Sequence, residues 1–376
     1  MAVATGERNG FMNTDFDIVV IGGGLYGCAC AYYLTRENRK VLLIEKNRVG
    51  TSGATGYSRG IVRVYDPEAS LAQLSLEGVT ELLNWDKNGL PGTNPYTASG
   101  FLYLMEGSKK DLAQQAIDRY GSSAYPMELL TGNEITQRFP WVKSSEGKIG
   151  LYEQYGGYGD PRLTAQNFMT GFRAKGGTVY ENCSVEAVET GTNGNWNIRL
   201  PLGIVNTNIV LVATGAFTKS LLPGMPVFTR SISLTQVSSD YHGHRMPVVD
   251  EQAETFLRPG DDSSFYCGSQ VEDVADLPEQ LPCRTPEVVA DAVLRVSKVV
   301  NDHVEPINCF NGYDGYTEEK RPVLQFLEEM PGVYVAAGFS GRGYKCVIPV
   351  AKQIAAEVDE YMGVGKAGKM EWKVVV

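Results

Sequence analysis

Three glycines at fixed spacing, one acid and two distant cations carry the chemistry this sequence could do. Residues 18–27 read Ile-Val-Val-Ile-Gly-Gly-Gly-Leu-Tyr-Gly. A short apolar stretch therefore ends in Gly22-x-Gly24-x-x-Gly27 and passes into a helix-like segment opening with Leu25 and Tyr26. Val41-Leu-Leu-Ile44 reads as a second buried strand, ending in Glu45. Strand, turn, helix, strand and acid in this order make the dinucleotide fingerprint. Gly22 permits the tight turn, Gly24 lets backbone N–H groups approach a pyrophosphate, and Gly27 lets the helix sit close on the sheet. The helix turns its positive dipole end to the phosphates. Glu45, about 20 residues on, can accept from a ribose hydroxyl. The competing reading is an apolar βαβ core unit with incidental glycines.

Two more strand-like runs end in glycine turns. Ile209-Val-Leu-Val-Ala213 runs into Thr214-Gly215, and Gly332-Val-Tyr-Val-Ala-Ala337 runs into Gly338-Phe-Ser-Gly-Arg-Gly-Tyr-Lys345. Ligands of open sheets bind beyond the carboxyl ends of the strands. Residues 50–63 and 338–345 are thus expected to converge, each delivering a cation: Arg63 and Lys345. Two cations at an apolar junction suit a substrate carboxylate. Other readings stay open: Arg63 as a surface or phosphate-binding arginine, Lys345 as a stabiliser of charge on a reduced cofactor ring. Arg59 is a spare cation in the first loop. Of the three histidines, His242-Gly-His244 lacks helical metal-ligand spacing and reads as a turn, so no metal site is expected.

The elements that must position these groups follow from periodicity. Leu71, Leu74, Leu82 and Leu83 have helical spacing within 69–88. Residues 100–105 read as a strand, 108–120 as a polar helix and 126–138 as a short helical piece. Asp160-Pro161 at the start and Gly176 at the end bracket a helix. Residues 178–180 and 185–189 look strand-like, and 227–238 alternate with Ile232, Leu234 and Gln236 on one face. Thr285-Pro286 opens a helix with Val289, Val293, Val296 and Val300 inward, and Pro349 another with Val350, Ile354 and Val358 inward. The loop 46–59, rich in small and hydroxyl residues, suits a long cofactor passing through the protein.

The chain has 376 residues, more than one core usually serves, so two domains are expected. A net charge of −10 argues against nucleic acid or an anionic membrane as partner. The seven cysteines contain no CxxC, and no stretch reads as membrane-spanning; a reducing, cytoplasmic location is expected. The expected fold class is α/β: a Rossmann-type dinucleotide domain with an inserted α+β substrate domain on a mostly antiparallel sheet. Residues 15–95, 150–225 and 310–363 are assigned to the first and 96–149 and 226–309 to the second. Residues 1–14 and 364–376 are assigned as tails.

Gly22-Gly-Gly-Leu-Tyr-Gly27, Glu45-Lys46, Thr51-Ser-Gly-Ala-Thr55, Ala213-Thr-Gly215 and the final Gly338-Phe-Ser-Gly-Arg-Gly-Tyr-Lys345 resemble the FAD-dependent D-amino-acid oxidase superfamily. The branch most resembled is monomeric sarcosine oxidase and its amine-oxidase relatives. The likeness spans about residues 15–363 and implies FAD at the junction of two domains. It assigns the cofactor to Gly22, Gly24, Leu25, Tyr26, Gly27, Glu45 and Lys46, to Ser52, Ala54, Thr55 and Arg59, to Val185, Thr214 and Gly215, and to Gly341, Arg342, Gly343, Tyr344 and Lys345. It places Arg63 and Lys345 on the substrate carboxylate and Tyr316 on the cavity wall. Two departures follow. Asp314 stands where the sarcosine-oxidase branch has its flavin-linked cysteine, so the expected FAD is non-covalent. Tyr266 stands where that branch has a lysine that assists reaction with oxygen.

The resulting expectation is an enzyme that oxidises the C–N bond of a small carboxylate-bearing amine, primary or N-alkyl, with O2 or another acceptor taking the electrons. A 2-hydroxy-acid dehydrogenase, or a flavoprotein that modifies a partner protein, are the alternatives.

Overall fold

The computed structural model describes residues 15–36, 38–143, 147–191, 194–261 and 263–374. The expected N-terminal tail, 1–14, lies outside them. The central strand, Asp15–Ile21, runs parallel between Val41–Ile44 and Gly203–Val212. Thr178–Tyr180 extends the sheet beyond Val41–Ile44. Gly203–Val212 is long enough to change partners: its first half pairs antiparallel with Trp196–Leu200, its end parallel with Val333–Ala337. Ile18, Val19, Val20, Leu42 and Leu43 are fully buried. That is why these strands read as unbroken apolar runs: helices cover both faces of a parallel sheet.

The second sheet has nine strands and is antiparallel but for one pair, Val248–Asp250 with Phe101–Glu106. It takes in Lys148–Glu153 and Pro306–Tyr316, so it reaches past the expected limits at 149 and 309. Its core holds Trp141, Phe265 and Leu257 under the helix Thr285–Val296, whose buried stripe is Val288, Ala292 and Val296. The stretch 126–138 is not one helical piece. Met127–Thr131 is a strand on Lys148–Glu153, and a capping box between Thr131 and Glu134 starts the helix Gly132–Arg138. The cap decides the boundary, because the alternation before it cannot be told from half a helical turn. Within 46–59 a short helix, Gly53–Tyr57, appears. The segment after 363, expected as a tail, packs back: Trp372 is buried and its ring lies 6.3 Å from Phe339.

The two ends of the chain meet beside the first glycine turn. Tyr26 stacks on Phe339 with centroids 3.5 Å apart, and its hydroxyl donates to Gly343 O at 2.8 Å. The helix Ala69–Leu83 lies against the turn Tyr344–Cys346 at Gly78, where a Cβ would fall inside the Lys345 carbonyl oxygen. Gly78→Ala therefore has to push the helix off the turn that carries Lys345. We expect a loss of about 1–3 kcal/mol, as for overpacking elsewhere, read by denaturant unfolding.

Candidate active site

Gly22 has φ +106°, and a Cβ there would stand 2.5 Å from Ala213 O. Gly27 lies under the carbonyl of Gly22 with no room for a Cβ. These contacts hold the helix Leu25–Leu34 tight against the sheet, with its N-terminus at the strand ends. Gly24 offers no side chain to cap it. The cap comes from elsewhere: Thr55 Oγ1 accepts from Leu25 N at 2.9 Å. Glu45 accepts from Gly23 N at 2.6 Å and Asn47 N at 2.8 Å, so its carboxylate braces the glycine turn as well as facing the cavity.

A cavity of about 630 Å³ opens along these strand ends. Its wall includes Gly22, Gly24, Leu25, Tyr26, Glu45, Lys46, Ser52, Ala54, Thr55, Arg59, Val185, Thr214 and Gly215. Arg63, Tyr316, Gly341, Arg342, Gly343, Tyr344 and Lys345 also line it. Of the residues assigned from sequence to the cofactor or the substrate only Gly27 is absent, because it is spent on helix packing. Gly215 has φ +56° and nothing within 4 Å of where its Cβ would be, so that side of the cavity is open backbone. Lys46 Nζ lies 3.0 Å over the Phe217 ring. The glycine turns, the helix N-terminus, Glu45, Lys46, Val185, Arg63 and Lys345 thus share one cavity wall.

Arg63 and Lys345 do come together, and sequence reasoning missed what lies between them. Asp66 Oδ2 accepts from Lys345 Nζ at 3.0 Å and faces Arg63 Nη1 at 3.3 Å. Its other oxygen accepts from Glu68 N at 3.2 Å and lies 3.7 Å from Arg342 Nη1. Glu68 in turn pairs with Arg342 at 3.1 Å and Arg321 at 2.6 Å. Asp66 is 8% and Lys345 4% exposed, which makes this a buried ion cluster. Burial pushes the Asp66 carboxyl up, but Lys345 and then Arg63 hold it well below the usual carboxylate range. Burial, then Arg63, pushes the Lys345 ammonium down to about 8, with Asp66 opposing. The signal was visible as an acid three residues after Arg63 in Arg-Val-Tyr-Asp-Pro-Glu.

A second buried acid shapes the same loop. Glu153 accepts from Val64 N at 2.7 Å, Tyr65 N at 2.8 Å and Tyr125 Oη at 2.6 Å. Burial raises its pKa despite those donors. Tyr316 is buried beneath the Arg230 guanidinium, and burial keeps its hydroxyl protonated, pushed up to about 12. Asp314, on the same face of its strand, lines the cavity and accepts from Gly315 N at 2.7 Å and Gly341 N at 2.8 Å; burial lifts its pKa to about 6. Tyr266 lies 4.4 Å under the Arg59 guanidinium, whose Nε has no hydrogen-bond partner, and 5.8 Å from that of Arg258.

The family pattern described as DAO, FAD dependent oxidoreductase, matches residues 17–357. The chain belongs to this family of FAD-dependent oxidoreductases. Mouse peroxisomal sarcosine oxidase is 26% identical over 383 residues, covering 92% of each chain. Human mitochondrial dimethylglycine dehydrogenase is 24% identical over 218 residues, 54% of this chain and 24% of that one. Among solved structures, L-proline dehydrogenase from P. horikoshii superposes with TM-score 0.80 at 20% identity, covering 95% of each chain. Glycine oxidase from Geobacillus kaustophilus does so with TM-score 0.81 at 18% identity, covering 96% of this chain and 99% of that one. FAD is thus the cofactor of this oxidoreductase, and the two-part α/β architecture is the family's. No helix among the described residues is long and apolar enough to cross a membrane.

Thr55→Ala strips the cap from the helix that faces the cofactor. A helix-cap loss of about 1 kcal/mol is expected, seen as a lower melting temperature of the holoprotein, with Thr55→Ser restoring it.

Proposed function

We propose that this enzyme oxidises the C–N bond of a small carboxylate-bearing amine, an amino acid or its N-alkyl derivative, to the imine. The observation that carries the reading is the arrival of Arg63 and Lys345, from distant parts of the chain, at one stretch of the cavity wall. The names of the relatives, which act on sarcosine, glycine or proline, point the same way.

Arg63 and Lys345 bind and orient the substrate carboxylate; charged hydrogen bonds of this kind are strong where water is excluded. Tyr316, held neutral, lines the same cavity. When bound, FAD supplies the acceptor for the hydride that leaves the carbon next to nitrogen. A neutral amine provides its own electron pair for imine formation, so the chain needs no strong base, in keeping with the absence of histidine from the cavity wall. Gly22, Gly24, Glu45, Thr55, Thr214, Gly215 and the 341–345 turn are the residues that would hold the FAD. With Asp314 in the cysteine's place, we read that attachment as non-covalent. Oxygen, yielding hydrogen peroxide, is the proposed electron acceptor, with the Arg59 guanidinium supplying positive charge over Tyr266, where the sarcosine-oxidase branch has its lysine. All seven cysteines are free, which accords with the reducing, cytoplasmic setting we propose.

Anaerobic titration with amino acids, N-methyl amino acids and 2-hydroxy acids should bleach the yellow flavin with a member of the first two classes. Bleaching by hydroxy acids alone would overturn the reading. Arg63→Met and Lys345→Met should each raise the apparent KM by an amount equivalent to ~1.5–3 kcal/mol, the worth of a hydrogen bond to charge; unchanged kinetics in both would remove the seat. Acid precipitation should leave a colourless pellet and all flavin in solution.

A further inference from the structure

The carboxylate seat already contains a carboxylate. We infer that Asp66 is a positioning residue: it clamps Arg63 and Lys345 through one shared oxygen and keeps Lys345 charged, so that both cations meet the substrate as a fixed pair. The inference rests on the proposed carboxylate seat and deepens it.

The geometry separates the clamp from the seat. Arg63, Arg342 and Lys345 line the cavity, whereas Asp66 does not. Its side chain is 4% exposed, that of Lys345 5% and that of Arg63 17%, so the clamp sits behind the cations and away from solvent. The loop that carries it cannot drift. Glu153 holds the amides of Val64 and Tyr65, Arg63 donates back to Tyr65 O, and Asp66 accepts from Glu68 N. Lys345 is fixed from the other side by the helix Ala69–Leu83, which packs Gly78 against its carbonyl.

Charge gives the clamp its purpose. Two like charges brought out of water side by side oppose each other and lose hydration. The groups facing Lys345 are Asp66 and Arg63 from the loop and Cys346 from its own turn. Burial pushes the Cys346 thiol up to about 11, so it is neutral. Asp66 is therefore the anion that keeps the lysine protonated in this surrounding, and Arg342 and Glu68 complete the cluster around it. One anion against two cations leaves about one net positive charge for the incoming carboxylate. With no anion the lysine would give up its proton, and half the seat would vanish.

The test is the pH dependence of binding of a non-oxidisable carboxylic acid, benzoate, to the FAD holoenzyme, followed by the change in flavin absorbance without turnover. Wild-type affinity should fall as pH rises through the Lys345 value of about 8. In Asp66→Asn the midpoint of that fall should move down by about one pH unit or more, the usual effect of removing a counter-charge at contact distance. Near pH 8 the affinity should then be at least about fivefold weaker while benzoate still binds at pH 6, and Asp66→Glu should bring the midpoint back. A role in packing alone would weaken binding equally at all pH values, and an Asp66→Asn midpoint at the wild-type position overturns the inference. Should Asp66→Asn not fold, Arg63→Met decides the point: with Asp66 facing Lys345 alone, the midpoint must rise above that of wild type, and a midpoint that stays or falls overturns the clamp. If wild type itself does not bind carboxylates, the seat proposed above fails instead.

Discussion

Two cations cannot be buried side by side without an anion to hold them there. Around this constraint the junction of the molecule is built. Arg63 arrives on the loop between the helices Gly53–Tyr57 and Ala69–Leu83, Lys345 on the last turn before the final helix, and one oxygen of Asp66 accepts from Lys345 and faces Arg63. The loop has no regular hydrogen bonding of its own to fix it. Its amides go instead to Glu153, on a strand of the antiparallel sheet, so the sheet and the cofactor domain are locked where the cations emerge.

The cofactor end obeys a different constraint, that of backbone approach. Gly22, Gly27 and Gly78 each stand where a methyl group would strike a carbonyl oxygen. Those three contacts bring a helix N-terminus, a neighbouring strand and the C-terminal turn within reach of one another. The helix borrows its cap from Thr55, thirty residues on, because Gly24 at its start has no hydroxyl to supply. Binding the cofactor and ending the helix draw on the same few positions, and the protein divides the work between two loops.

Two positions read from the sequence as departures from the sarcosine-oxidase branch have defined surroundings. Asp314 places a carboxyl on the cavity wall between two backbone amides. Tyr266 places a ring beneath Arg59.

Much of the cavity wall was legible in the sequence, because glycine spacing, strand runs and the acid after the second strand are local patterns set by backbone sterics. The same holds for the helix after Asp160, whose cap, proline and closing glycine act within one turn. The boundary inside 126–138 was not legible, since the five residues Met127–Thr131 fit a strand or a helix until a partner strand is present. The packed segment around Trp372 was not legible either, because a lone tryptophan after a glycine-rich stretch says nothing of what it will meet. Above all, Arg63 and Lys345 could be named from sequence as two cations at one junction, but the ion cluster joining them could not. Asp66 is three residues from Arg63 and far from Lys345, and only the fold, by closing the distance between chain ends and excluding water, makes one carboxylate serve both.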